Sequence, residues 1–224
     1  MKRSEINGYL DDAQSFFQRC GFQLPPFAFW TPAQWGELGP EGDEIRTHHL
    51  GWDVTDFGSG DFPRRGLLLF TIRNGLPGDS SRPYCEKIMV VREKQVTPFH
   101  FHFQKTEDII NRGPSGELVV ELYNSDPRGG FADTPVSVVC DGVRRTLKAG
   151  GKVRLGPGES ITLTSGLYHS FYGAAGGPTV LVGEVSSVND DARDNRFYEP
   201  LPRFTAIEED APPRYLLCNE YPTA

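Results

Sequence analysis

Apolar residues near the start of the chain recur three and four positions apart, at Ile6, Tyr9, Leu10, Ala13, Phe16, Phe17 and Cys20. This period predicts one amphipathic helix, with Ser4 as its N-cap and Gly21 as its stop. Beyond Leu24-Pro25-Pro26, the run Thr31-Pro32-Ala33-Gln34 supplies a cap residue, a proline at the first helical position and a glutamine where a capping box needs one. A second, short helix is expected there, with Trp30 and Trp35 as flanking packing groups.

From about Gly66 the pattern changes to short runs rich in Val, Ile, Leu, Thr and aromatic residues, separated by Gly, Pro, Asn and Asp. The runs at Gly66 to Arg73, Cys85 to Gln95, Glu117 to Tyr123, Val136 to Asp141, Val143 to Leu147, Ser160 to Thr164 and Thr179 to Ser186 predict β-strands. Between two of them, Asp141-Gly142 tolerates the positive φ of a type I′ turn and marks a hairpin. The region reads as all-β, an antiparallel sandwich or barrel. After it, a polar, proline-rich segment could wrap the barrel or close its mouth. One domain over 1–224 is expected, with an N-terminal helical and loop extension (1–65), a barrel (66–188) and a C-terminal extension (189–224).

Composition agrees with this reading. The 25 Gly and 18 Pro among 224 residues suit many short strands joined by turns and exclude a helical bundle. A formal net charge of −7 leaves no broad basic face for phosphates, so nucleic acid is not an expected partner. No apolar run approaches the roughly eighteen residues of a membrane span, so no membrane association is expected. Polar residues follow Met1-Lys2-Arg3 where a secretory signal needs an apolar core, which points to the cytoplasm. Cys20, Cys85, Cys140 and Cys218 are scattered without a Cys-x-x-Cys pair and are read as reduced, structural thiols.

The chemistry concentrates in Pro98-Phe99-His100-Phe101-His102-Phe103-Gln104-Lys105-Thr106-Glu107 and in Gly166-Leu167-Tyr168-His169. On a strand, His100 and His102 face one side while Phe99, Phe101 and Phe103 face the other. Glu107 is close enough in sequence for the chain to turn and return a carboxylate to the same cavity, and His169 can add a third imidazole from another strand. Buried together without a partner, these groups would cost several kcal/mol, and a divalent ion is the partner that makes the set intelligible. The remaining pair, His48-His49, alternates across an extended chain and is read as solvent-facing or packing. Glu184, within Val182-Gly183-Glu184-Val185, is an acidic residue inside an apolar strand and needs a partner or a function.

These residues carry a resemblance. The stretch Lys94 to Glu107 resembles the first cupin motif, a Gly followed after five residues by His-x-His and then a Glu. Gly158 to His169 resembles the second, in which Gly, Pro-x-Gly and His recur. Lys94, Thr164 and Gly173 depart from the motifs' Gly, Pro and Asn, all at turn-shaping positions. The resemblance implies a cupin antiparallel β-barrel, or jelly roll, with His100, His102, Glu107 and His169 as metal ligands.

A closer resemblance spans nearly the whole chain. The blocks Leu24-Pro25-Pro26-Phe27-Ala28-Phe29-Trp30-Thr31-Pro32, Gly51-Trp52-Asp53-Val54-Thr55-Asp56-Phe57-Gly58-Ser59-Gly60-Asp61-Phe62, Lys105-Thr106-Glu107-Asp108-Ile109-Ile110-Asn111-Arg112-Gly113 and Asp194-Asn195-Arg196-Phe197 are similar to those of the D-lyxose ketol-isomerase family. This implies a manganese-dependent aldose–ketose isomerase acting on D-lyxose and D-xylulose, and on D-mannose and D-fructose, as a homodimer. Co²⁺, Fe²⁺ and Zn²⁺ also suit the ligand set. The resemblance further implies a proton shuttle by Lys105, a mobile ammonium tethered beside Glu107, and by Glu199 in the C-terminal extension; Glu184, as an acid inside an apolar strand, is a second candidate base. Asp190, Asp194 and Arg203 could orient sugar hydroxyls, and Phe99 could pack on the sugar's carbon face. The cupin fold also serves other chemistry, so an Fe(II) dioxygenase and a non-catalytic sugar-binding protein stand as alternatives.

Overall fold

The computed structural model describes residues 1–222, so Thr223 and Ala224 of the expected C-terminal extension lie outside it. Helix α1 (Arg3–Arg19) follows the predicted period and buries Ile6, Leu10, Ala13 and Phe17. Its N-cap is Lys2, not Ser4. Ser4 lies in the first turn, where its Oγ donates to Asp210 Oδ2 at 2.7 Å, while Glu5 accepts the Lys2 N–H at 2.8 Å. Gly21, at φ +70, ends the helix as expected. Helix α2 (Pro32–Glu37) carries the predicted capping box, and a further turn, α3 (Asp43–Thr47), follows.

Among the described residues fourteen strands come next in chain order: β1 (Gly51–Thr55), β2 (Leu67–Asn74), β3 (Cys85–Val91), β4 (Thr97–His102), β5 (Glu107–Asn111), β6 (Leu118–Ser125), β7 (Phe131–Ala132), β8 (Val136–Cys140), β9 (Val143–Leu147), β10 (Gly151–Leu155), β11 (Ser160–Leu163), β12 (Leu167–Gly173), β13 (Val180–Ser186) and β14 (Asn195–Phe197). They form two antiparallel sheets, ordered β1-β2-β3-β13-β5-β11-β8-β9 and β10-β6-β12-β4-β14, with β7 paired to β6. The Asp141-Gly142 hairpin joins β8 to β9, both turn residues at positive φ. Lys94, at the glycine position of the first cupin motif, adopts φ +53, so the turn is kept by a residue that has a Cβ.

The sheets curl around a core built from both: Leu69, Met89, Ile109, Ile161 and Val182 meet Leu118, Val120, Val153 and Phe171. A second core lies on the outer face of the first sheet, where α1 packs on Trp52, Val54, Leu68, Phe70, Ile88 and Val90. Because both faces of β2 and β3 are covered, these strands read as continuous apolar runs and not as an alternation. The strand region begins earlier than position 66, since β1 pairs with β2, and it draws β14 from the C-terminal extension. No helix among the described residues is long and apolar enough to cross a membrane, and all four cysteines are free.

The C-terminal segment returns across α1. Arg3, 1% exposed, holds Glu209 and Glu220, and Tyr221 stacks on Trp35 with ring centroids 4.0 Å apart. The Tyr221 hydroxyl donates to Leu50 O at 2.9 Å and fills the space where a Cβ on Gly51 would fall, and Gly51 itself sits at φ +114. Arg3→Met is therefore expected to lower stability by about 1.5–3 kcal/mol, the range for hydrogen bonds to charged groups. Denaturant titration checks this, and an unchanged midpoint would contradict it.

Candidate active site

Strand β4 places His100 and His102 on one face, and its antiparallel neighbour β12 sets His169 in register with His100. Phe99 and Phe101 take the opposite face, where Phe99 packs against Phe131 at 5.0 Å and Phe101 against Tyr168 at 4.8 Å between centroids. One candidate ligand atom from each imidazole lies within 4.8 Å of the others. The Nδ1 atoms of His100 and His169 lie 2.8 and 3.0 Å from the carbonyls of Pro98 and Leu167. A carbonyl only accepts, so these Nδ1 atoms carry the hydrogens and each Nε2 keeps a lone pair.

His102 Nε2 and His169 Nε2 are buried and make no hydrogen bond among the described residues. Nevertheless, His169 Nε2 is 3.0 Å from Glu107 Oε1, and His102 Nε2 is 3.5 Å from Glu107 Oε2. At His169, then, a lone-pair nitrogen faces a carboxylate oxygen with no hydrogen between them, an arrangement that a shared cation satisfies. Burial pushes His100 and His102 below the usual imidazole range, and the neighbouring imidazoles of His100 and the Lys105 ammonium beside His102 push the same way. The geometry of the set fits a divalent metal ion, with His100, His102 and His169 as nitrogen donors and Glu107 beside two of them.

Lys105 is 2% exposed, and its Nζ reaches Glu107 Oε2 at 2.6 Å, Glu184 Oε1 at 2.8 Å and Asn189 Oδ1 at 3.3 Å. The ammonium expected to be mobile is clamped. Asp194 fixes it from behind, because its carboxylate accepts the backbone N–H groups of Gln104 at 2.7 Å and Lys105 at 2.9 Å. Burial alone would raise the carboxyls of Glu107 and Glu184, but Lys105 overrides it at both, and both are held below the usual range. Arg203 closes the other side, donating through Nη2 to Asp53 Oδ2 at 2.6 Å and Asp191 Oδ2 at 3.0 Å, while its buried Nη1 has no partner among the described residues.

One pocket gathers His100, His102, Lys105, Glu107, Glu184 and Arg203 with Met89, Ile109 and Phe171 as apolar wall. Glu199 does not join it. Its side chain is 62% exposed, pairs with Arg65 at 2.8 Å and lines a separate cleft with Phe99. Asp190 and Asp194 face another cleft beside Arg193. Sequence reasoning missed Lys87 and Asn189, which line the main pocket. The signal for Lys87 was its parity with Met89 and Val91 on β3.

The L-ribose isomerase of Cellulomonas parahominis, solved with L-ribose, shares this fold with a TM-score of 0.60 at 19% identity, covering 93% of this chain and 98% of that chain. A mutant L-ribose isomerase of Acinetobacter sp. DL28 gives 0.61 at 16% identity, with the same coverage of 93% and 98%. These likenesses define the fold as a cupin-type barrel. Over 224 residues the chain is 56% identical to the D-lyxose/D-mannose isomerase of Serratia proteamaculans and 53% identical to that of Escherichia coli O157:H7, each alignment covering 99% of this chain and 98% of the relative. With the D-lyxose isomerase family also matching residues 1–221, the chain belongs to that family and is a sugar ketol-isomerase.

Proposed function

We propose that this chain interconverts D-lyxose with D-xylulose, and D-mannose with D-fructose, using Mn²⁺ held by His100, His102, His169 and Glu107, as a cytoplasmic homodimer. The observation that supports this most directly is the cluster of His100, His102 and His169, two of which line one pocket with the buried Lys105–Glu184 ion pair. The names of the two curated relatives support the substrates. Bound there, the ion supplies a Lewis acid for the sugar's carbonyl and lowers the cost of negative charge on its oxygens.

The rest falls to the chain's own side chains. Glu184 removes the proton from C2 of the open-chain aldose; the C–H electrons form the enediol double bond, and the carbonyl oxygen gains a proton from Lys105. Glu184 then returns a proton to C1 while the C2 hydroxyl gives its proton back to Lys105, which completes the ketose with atoms balanced. Arg203, anchored by Asp53 and Asp191, keeps Nη1 free to donate to a sugar hydroxyl. Glu199, exposed and paired with Arg65, is given no part in the proton transfer. Purified protein supplied with Mn²⁺ is expected to form D-xylulose from D-lyxose; a metal-loaded preparation inert on every pentose and hexose tried would sink the reading.

A further inference from the structure

Across the sheet from Glu184 lies a buried lysine that has no part in the chemistry above. Lys87 is the cross-strand register partner of Glu184, on β3 opposite β13. Met89 and Val91 belong to the core between the sheets, whereas Ile88 and Val90 belong to the core under α1. By the alternation of a strand, Lys87 therefore points into the barrel, where it is 5% exposed. Its Nζ donates to Asn189 Oδ1 at 2.7 Å and lies 3.2 Å from Glu184 Oε1.

The same two oxygens also serve Lys105, at 2.8 Å for Glu184 and 3.3 Å for Asn189. Lys105 thus spends three donors on three acceptors, the third being Glu107 at 2.6 Å. An ammonium has three donors, so Lys105 reaches a sugar oxygen only by giving up one of these partners. Glu184 is the carboxylate it can release, because a second cation already holds it. Asn189 cannot follow Lys105 either: its N–H donates to Asn74 Oδ1 at 3.0 Å, and Asn74 Nδ2 donates back to Asn189 O at 3.0 Å.

We propose that Lys87 is a positioning residue for the isomerisation, keeping the Glu184 carboxylate paired and in place while Lys105 turns from Glu184 to the substrate. Without Lys87, that turn would leave a buried carboxylate with no counter-charge, which it meets by moving or by taking up a proton. The inference rests on the isomerase reading above.

The test compares Lys87→Met, Lys87→Gln and Lys87→Arg in the full-length, Mn²⁺-loaded enzyme, with kcat, KM, metal content and melting temperature measured on each. The first two are expected to lose kcat by about tenfold or more with KM held within about threefold and metal content unchanged, the pattern of an interaction needed during turnover. Lys87→Arg, which keeps the cation, is expected to recover kcat to within about threefold of the parent. A merely structural lysine would lower the melting temperature and leave kcat per metal-loaded site intact, and that result overturns the proposal. So does an arginine variant as slow as the methionine one. If Lys87→Met fails to fold, the glutamine variant carries the same comparison. An inactive parent enzyme would fault the isomerase reading, whereas an active parent with equally active Lys87 variants would fault only this inference.

Discussion

Replacement of His169 by alanine is expected to abolish stoichiometric metal binding and to lower kcat by about three orders of magnitude or more. His169 is 1% exposed in the middle of β12, and its Nδ1 is already committed to the Leu167 carbonyl, so its Nε2 is presented as a donor before any ion arrives. No other described side chain stands ready to take its place, since Lys105 is a cation and the remaining donors already belong to the set. The fold should survive the change, because Glu107 keeps its ion pair with Lys105. Elemental analysis and a melting curve check this together. At about 100 times its Kd, a ligand that binds only the folded state adds about 2.7 kcal/mol, so Mn²⁺ should raise the melting temperature of the parent protein and leave the variant unmoved. Chelator treatment of the parent should reproduce the loss and added Mn²⁺ should reverse it. A His169→Ala protein that keeps its metal and its turnover would refute the assignment of the triad.

The parts of this site that were legible in the sequence are those governed by strand parity. His100 and His102 lie two apart between aromatic residues, so one strand brings them together and sends Phe99 and Phe101 away. His169 needed more, because its place opposite His100 is a register between distant strands; the residues offered it as a third imidazole from another strand, and the cupin resemblance implied it as a ligand. The expected site residue that lies outside the pocket is Glu199. Its place in the C-terminal extension, expected to close the mouth of the barrel, pointed to the site, but β14 ends at Phe197 and the chain beyond it carries Glu199 out to Arg65. Lys87 was hidden for a different reason: β3 is covered on both faces, so its apolar run does not tell the inward face from the outward one, and the parity of Lys87 with Met89 and Val91 becomes a signal only once the sheets are known. At the N-terminus, a plausible cap at Ser4 lost to a tertiary contact, as Asp210 from the far end of the chain takes its hydroxyl.

Glu184→Gln is expected to lower kcat by about a hundred- to ten-thousandfold, the usual worth of a positioned general base, with metal content unchanged. Glutamine keeps the shape of the side chain and an oxygen that can accept from Lys105 and Lys87, which approach the carboxylate at 2.8 and 3.2 Å. What it loses is the capacity to take a proton from carbon, so a sugar deuterated at C2 should lose its label far more slowly in the variant. Glu199→Gln is expected to stay within about threefold of the parent, because an exposed pair such as Arg65–Glu199 is worth only about 0–1 kcal/mol. The two variants together separate the carboxylate in the pocket from the one outside it. Loss of activity in Glu199→Gln with retention in Glu184→Gln would move the base to the C-terminal extension and require that segment to fold inward during turnover. The opposite outcome ties proton transfer to the ion pair beside the imidazole triad, where Glu184 shares one pocket with His100, His102 and Glu107.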